Sequence, residues 1–166
     1  MTLSHRHATL HLDAAPRVDV EGRTVAVPRK GVALLCYLAS EGPTRRHRLA
    51  DLLWDRTGAM KNLRVEIHRV RTPLRELGIE PFGGSVDPLT LGPQIRIGRR
   101  AMRRGEELMA GLEDIAAGFQ AWLDARRARQ AHRADRELRS DLLDDLAKTV
   151  APPFVVVLQG RPGAET

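Results

Sequence analysis

The stretch KNLRVEIHRVRTPLREL, residues 61–77, decides how the rest of this chain is interpreted. An apolar residue recurs in it every three or four positions, and at 100° per residue these side chains fall on one stripe about 80° wide. The stripe consists of Leu63, Ile67, Val70, Leu74 and Leu77. The opposite side carries Lys61, Val65, His68 and Thr72, flanked by Arg64, Arg69 and Arg75. The pattern predicts an amphipathic helix with a basic outer face.

Pro73 lies late in this helix. Proline has no backbone N–H and disfavours helical geometry at the residue before it, so we expect a kink or an early end at Thr72. Gly78 then ends the segment.

The positive charge of the chain is concentrated around this helix. The 166 residues include 27 Lys and Arg against 21 Asp and Glu, a net charge of +6. Residues 45–75 alone hold nine Lys and Arg against Asp51, Asp55 and Glu66, an excess of the same size. A basic balance indicates a polyanionic partner, either nucleic acid or an anionic membrane, and its concentration in one stretch favours a localised binding face.

The residues before the basic helix have first the periodicity of strands and then that of helices. Residues 8–27 alternate apolar and polar positions with breaks at 14–16 and 21–22, which predicts a small antiparallel meander. Residues 29–42 (RKGVALLCYLASEG) have helical spacing, and Gly42-Pro43 stops that helix. A second helix, RRHRLADLLW at 45–54, is expected to have Thr44 as its N-cap.

The residues after the basic helix return to period two and then become helical. Residues 79–97 predict a hairpin whose tip is Gly83–Ser85, and the following strands are marked by Leu89 and Leu91 and then by Ile95 and Ile97. A short helix is expected around 99–110. Residues 119–150 contain neither Gly nor Pro and predict either one long helix or two helices broken within 125–136. Pro152-Pro153 ends this segment, and FVVVLQ at 154–159 predicts a buried strand.

The order of these elements predicts an α+β fold, a winged helix-turn-helix followed by an α-helical segment. It comprises a small antiparallel sheet, three helices and a C-terminal hairpin wing. The third helix of such a fold enters the major groove, so its inner face is apolar and its outer face meets phosphates and base edges. We therefore expect a DNA-binding domain at 1–97, a helical segment at 98–150, and a strand with a Gly-rich tail at 151–166.

The sequence resembles the DNA-binding domain of the SARP family of bacterial transcriptional activators, which has an OmpR-type winged helix. The resemblance lies in VPRKGVALLCYLASEGPTRRHRLADLLW (27–54) and NLRVEIHRVRTPLRELG (62–78), and it covers about 8–97. Further on, GEELMAGLED (105–114) and GFQAWLDARRARQ (118–130) resemble the start of the bacterial transcriptional activator domain. The resemblance implies a sequence-specific regulator that binds double-stranded promoter DNA. The expected wing tip contains Gly and Ser but no Arg.

The expected DNA contacts lie on the second and third helices. Arg45 and Arg46 begin the second helix, where free N–H groups favour phosphate. Asn62 can read adenine or cap its helix. Arg69 and Arg71 can reach phosphates or pair with nearby carboxylates. The full expected set is Lys61, Asn62, Arg64, Val65, His68, Arg69, Arg71, Thr72, Arg45 and Arg46; the alternative for these side chains is a solvated basic surface.

No catalytic, metal or cofactor motif stands out, so we expect neither an enzyme nor a bound cofactor. GRPGAET (160–166) lacks the Gly-Lys pair of a phosphate-binding loop, although a strand before a Gly-rich turn is how an ATPase domain begins. The first alternative is therefore the N-terminal part of a larger ATPase-type regulator. The second is a protein-interaction adaptor that uses the winged helix and the long helix.

Location and partners follow from the same patterns. No apolar stretch approaches the ~20 residues of a membrane span, and the N-terminus has no apolar signal segment, so we expect a cytoplasmic protein without a membrane partner. The single cysteine, Cys36, lies in an apolar run and is expected to be buried. The helical segment is expected to mediate dimerisation, contact with RNA polymerase, or coupling to a sensing domain.

Overall fold

The computed structural model describes residues 6–150 and Gly163, and it shows a mixed α+β fold. The strands are β1 Ala8–His11, β2 Arg17–Val20, β3 Arg23–Thr24 and β4 Ile95–Gly98. The helices are α1 Arg29–Glu41, α2 Arg46–Leu53, α3 Ala59–Glu76 and α4 Ala117–Thr149. None of these described helices combines the length and the apolar character that a membrane span requires.

The predicted antiparallel meander is confirmed in β1, β2 and β3. Leu10 pairs with Val18 across β1 and β2, and both side chains are buried because alternate residues of a strand share one face. The turn from β2 to β3 is Glu21-Gly22, and both residues have positive φ, 49° and 78°. A two-residue turn of that handedness matches the twist of the strands that it joins.

The predicted hairpin is shorter than expected. It is reduced to one bridge between Phe82 and Leu91, supported by the Gly83 N–H donating to the Thr90 carbonyl at 2.9 Å. Residues 83–90 therefore form a longer tip than Gly83–Ser85. We call this segment the 83–90 loop. Prolines at 81, 88 and 93 supply no ladder N–H, which limits regular pairing. The last predicted strand, β4, instead pairs in parallel with β1 at the edge of the sheet.

The helix α1 is confirmed and is the central element of the core. All residues from Gly31 to Leu38 are buried, including Cys36, and Gly42 ends the helix with φ 81°. A Cβ atom on Gly31 would lie 2.5 Å from Val70 Cγ2, so only glycine allows α1 to approach α3 this closely. The position of α3 thus depends directly on α1.

The start of α2 differs from the prediction. The N-cap position is Arg45, and Thr44 is not the cap. The Thr44 hydroxyl donates to the Gly42 carbonyl at 2.9 Å, and the Thr44 backbone exchanges hydrogen bonds with Leu89. Because this bridge holds Thr44 in extended pairing, its side chain does not reach the helix N-terminus. The turn from α2 to α3 ends at Gly58, which has φ 83°.

The helix α3 confirms the apolar stripe but does not end early. Leu63, Ile67, Val70 and Leu74 are buried, and the helix continues through Pro73 to Glu76. Proline removes only one N–H from a helix whose inner face is fixed by packing. The Thr72 hydroxyl donates to the His68 carbonyl at 2.9 Å, one turn before the proline.

Glu66 is a buried carboxylate, and the apolar spacing of residues 61–77 did not predict its burial. It is 4% exposed, its Oε1 atom has no hydrogen-bond partner, and its Oε2 atom lies 3.8 Å from the exposed guanidinium of Arg69. An unsatisfied buried acceptor costs about 1–3 kcal/mol. The free energy of unfolding should therefore rise by about that amount in Glu66→Met, which keeps a long side chain without the charge.

Urea denaturation measures the Glu66→Met effect. The matched control is Glu76→Met on the exposed side of the same helix, which should change stability by less than about 0.5 kcal/mol. A clear loss of stability in Glu66→Met would mean that the carboxylate is satisfied in solution.

The helix predicted around 99–110 is wrong. Residues 99–116 form turns, and Gly105, Met109, Gly111 and Asp114 all have positive φ between 54° and 93°. A right-handed helix cannot continue through residues in the left-handed region. The Glu106 carboxylate accepts the Arg103 N–H at 2.6 Å and pairs with Arg100, which stabilises the turn locally.

The long helix is unbroken, which decides between the two alternatives for 119–150. Residues up to Ala128 belong to one compact unit, in which Met109, Leu112, Phe119 and Leu123 are buried in the same core as α1 and α3. Residues from Arg129 form a second unit, in which 131–149 are helical and exposed. The predicted strand 154–159 and Pro152-Pro153 lie outside the described residues.

Candidate functional site

The outer face of α3 is the most concentrated group of expected contact residues. All of its members are exposed, on the side of the helix away from the buried stripe: Lys61, Asn62, Arg64, Val65, His68, Arg69 and Thr72. The periodicity of residues 61–77 places them there, because every apolar anchor is three or four residues from the next. The structure therefore brings seven of the ten expected residues onto one surface.

Two cations on this face, and a third before α2, have no carboxylate partner. Within residues 6–150, the side chains of Lys61 and Arg64 make no ion pair or hydrogen bond, and neither does Arg45 before α2. An exposed cation without a partner keeps its full charge and all of its donors for a ligand. Positive charge on this face is thus available without breaking an internal contact.

Asn62 does not cap α3. The N-cap position is Gly58, which carries no side chain, and the Asn62 N–H donates to the Gly58 carbonyl at 3.1 Å. The exposed Asn62 amide is therefore free of the structural role that the sequence left open. It keeps two donors and one acceptor, the set that matches the edge of an adenine.

Arg69 and Arg71 differ in how firmly they are held. The Arg69 side chain is 61% exposed, and its nearest carboxylate oxygen, on Glu66, is 3.8 Å away. The Arg71 side chain is 28% exposed, donates to Glu80 at 2.9 Å and lies over the ring of Phe82 at 5.4 Å. Arg69 can move toward a ligand at little cost, whereas Arg71 would lose an ion pair and a ring contact.

Glu80 joins the end of α3 to the chain that follows it. Its carboxylate accepts hydrogen bonds from Arg71 and, at 2.6 Å, from Arg75. Partial burial raises the pKa of Glu80, but the hydrogen bonds from Arg75 and Arg71 outweigh burial and hold this pKa below its usual 4.5. The ionised form is therefore the one that stabilises this junction.

A pH dependence of stability follows from the lowered pKa of Glu80. Its contribution is present above the unfolded-state pKa of about 4.5 and is lost as the pH falls through the lower folded-state pKa. Glu80→Gln should lower the free energy of unfolding at neutral pH, and its deficit relative to the wild type should vanish in acid. Urea titrations at a series of pH values measure this difference.

Substitution on the arginine side of the ion pair provides the control for Glu80→Gln. Arg75→Gln removes one of the same ion-pair contacts without disturbing the Phe82 ring, and its smaller deficit should show the same acid-dependent convergence with the wild type. A deficit that stays constant with pH would indicate lost packing rather than a lost ion pair.

The N-terminus of α2 is already occupied. The Arg46 N–H donates to the Asp87 carboxylate at 3.0 Å, and the Arg46 guanidinium donates to the Val86 carbonyl at 2.6 Å. A carboxylate from the 83–90 loop thus occupies the position where the sequence predicted a phosphate. This contact joins residues 41 positions apart, so no local sequence signal could have revealed it. Arg45, one residue earlier, remains exposed.

The described residues offer little for other chemistry. No group of three or more His, Cys, Asp or Glu among them could hold a metal ion. Burial raises the pKa of the Cys36 thiol to about 12, against a small opposing effect of Arg126, so this sulfur is not a thiolate nucleophile.

The second unit presents a different exposed surface. In the helix from Arg129 to Thr149, four leucines are 57–66% exposed: Leu138, Leu142, Leu143 and Leu146. Exposed leucines at this density are unusual on a solvated helix and indicate a contact surface.

Comparison of the chain with protein-family models, curated proteins and solved structures gives no match.

Proposed function

We propose that this protein is a sequence-specific, double-stranded DNA-binding transcriptional regulator of the SARP type. In this proposal α2, the turn to Gly58 and α3 are a helix-turn-helix, and α3 enters the major groove. The observation that carries it is the outer face of α3, an exposed and cationic surface on a helix whose other side is buried. The resemblance of residues 27–54 and 62–78 to SARP activators supports the same assignment.

The dimensions of α3 suit a groove. Its 18 residues span about 27 Å at 1.5 Å per residue, and the major groove is about 12 Å wide, enough to admit one helix. The buried stripe and the Gly31 contact hold the helix rigidly, so cationic side chains meet the duplex from a fixed position. Base edges are then read by Asn62, Arg64 and His68, and phosphates are contacted by Lys61, Arg69 and Arg45.

The 83–90 loop takes the place of a long wing in this proposal. It is fixed to the N-terminus of α2 through Asp87 and Arg46, and it carries no Lys or Arg of its own. We therefore assign it a positioning role rather than a charged contact to the minor groove. Arg71 has a similar role, because its pairing with Glu80 fixes the end of α3.

The exposed leucines of the second unit are assigned to a protein partner. A second copy of this chain and RNA polymerase are the two candidates in a cytoplasmic regulator that acts at a promoter. The same leucines also favour the rival function, an adaptor that binds proteins only. The outer face of α3 supports DNA binding over this rival, because a surface of unpaired cations has no role in an adaptor that binds no polyanion.

Fluorescence anisotropy with labelled duplex DNA at several salt concentrations tests the proposal. For a DNA-binding protein the logarithm of the binding constant falls linearly with the logarithm of salt, with a slope of about −0.9 per phosphate contacted. We expect binding of this kind, and tighter binding to duplexes selected from a random pool than to the pool itself. Absence of binding at low salt would reject the proposal in favour of the adaptor.

A further inference from the structure

Val65 is an aliphatic side chain in the middle of a cationic surface. It is 42% exposed, and its neighbours on the outer face of α3 are Lys61 one turn earlier and His68 and Arg69 one turn later. Arg64 precedes it. The other exposed large apolar residues between 6 and 130 are Met60 at the start of α3, Val86 in the 83–90 loop and Ile97 in β4. Val65 is thus an isolated apolar group surrounded by hydrogen-bond donors.

The stability of α3 does not account for this valine. β-Branched residues lose side-chain freedom in a helix and form helices less readily than alanine, arginine or lysine. Val65 is also absent from the buried core that fixes the other side of the helix. A long polar residue or an alanine at this position would support the helix equally well or better.

The major groove offers one base edge that suits an aliphatic side chain. Thymine alone displays a methyl group there, beside an O4 acceptor, whereas the other bases present donors and acceptors only. The nearby Lys, Arg and His side chains can satisfy acceptors but gain nothing from a methyl group. Valine has no donor and gains only from an apolar contact.

We propose that Val65 packs against the 5-methyl group of a thymine and sets the preference for thymine at one base pair of the binding site. This inference rests on the proposed function, since it assigns one chemical group of the DNA to one side chain of α3. An apolar contact to a protein is a weaker account, because such surfaces form contiguous patches and Val65 stands alone among cations.

Replacement of thymine by uracil provides the test, because uracil lacks only the 5-methyl group. The intact chain first selects its preferred duplex from a random pool, and each thymine in that duplex is then replaced singly by uracil. At one position we expect about fourfold weaker binding by the wild type, the value of one buried methyl group. Val65→Ala should bind the thymine duplex more weakly by a similar factor and should bind the thymine and uracil duplexes equally.

The matched control is Val150→Ala, which removes an exposed valine outside both α3 and the 83–90 loop and should keep the wild-type uracil profile. Val65→Ala should remain folded with an unchanged or slightly raised melting temperature, so a loss of affinity cannot be attributed to unfolding. Tight binding by the wild type with no sensitive thymine, or with the same sensitive thymine in Val65→Ala, overturns the inference and leaves the proposed function standing. Failure of the wild type to bind any duplex overturns both.

Discussion

Replacing Lys61 and Arg64 together with alanine is expected to weaken binding to the preferred duplex by about 2–4 kcal/mol, or about 30- to 1,000-fold at 298 K. Both side chains are exposed and make no hydrogen bond or ion pair among the described residues, so their interaction with DNA is lost without breaking a polar contact within the chain. The slope of log affinity against log salt should also become shallower by about one, since Lys61 is the phosphate contact of the pair. Anisotropy titrations at several salt concentrations measure both quantities.

A second double variant separates a local contact from general attraction. Arg136→Ala with Lys148→Ala removes one Arg and one Lys from exposed positions of α4, so both doubles carry the same net charge. Coulombic attraction that depended on net charge alone would fall equally in the two variants. We expect the α4 double to bind nearly as well as the wild type, and equal losses in both would argue against α3 as the reading element.

The positions of α1 and α3 could be predicted from the sequence because both helices follow local rules. The apolar spacing of 61–77 defines which side of α3 is buried whatever that side packs against. Gly42 ends α1 because glycine adopts its φ of 81° without strain. The residues of the outer face of α3 could be predicted from the same spacing, because the exposed residues of an amphipathic helix are those outside its apolar stripe.

The features of the fold that were not predicted correctly depend on distant contacts or on backbone geometry. The strand β4 was predicted, but its parallel pairing with β1 was not, because that partner lies more than 80 residues away and nothing in the local alternation of Ile95 and Ile97 specifies it. The turns at 99–116 contain a non-glycine residue, Met109, with φ 54°, which the helical spacing of that stretch conceals. Its N–H donates to the Asp13 carbonyl at 2.9 Å, a tertiary contact that overrides local propensity.

The candidate site also combines features that local sequence predicts with features that depend on distant contacts. Which side chains are exposed on α3 follows from periodicity, but which cations are free does not. Arg71 is held by Glu80 nine residues later, and Arg46 is held by the 83–90 loop. Charge counts treat these arginines like Arg64, although Arg64 keeps its donors unpaired and Arg71 and Arg46 do not. Pairing is a property of the folded chain, so it had to be observed.

A chain that ends at Gly98 is expected to be far less stable than one that ends at Ala128, although both contain all of α3. The shorter chain loses four side chains that are at most 3% exposed: Met109, Leu112, Phe119 and Leu123. Loss of one such side chain costs about 2–5 kcal/mol, so loss of all four is comparable to the 5–15 kcal/mol that stabilises a typical domain. Thermal unfolding by circular dichroism, with anisotropy for DNA binding, compares the two chains.

The contacts of the lost segment explain why it belongs to the same folded unit as α1. The Arg29 guanidinium donates to the Gly111 carbonyl at 2.6 Å, Trp122 donates to the Glu41 carboxylate at 2.8 Å, and its ring lies 5.0 Å from the ring of Tyr37. These contacts join the segment to both ends of α1, the helix that also packs against α3 at Gly31. The chain ending at Ala128 should therefore stay folded and bind duplex DNA, whereas an equally stable and DNA-binding chain ending at Gly98 would show that the segment is accessory. The geometry of α3 is thus expected to depend on residues more than 30 positions beyond its last turn.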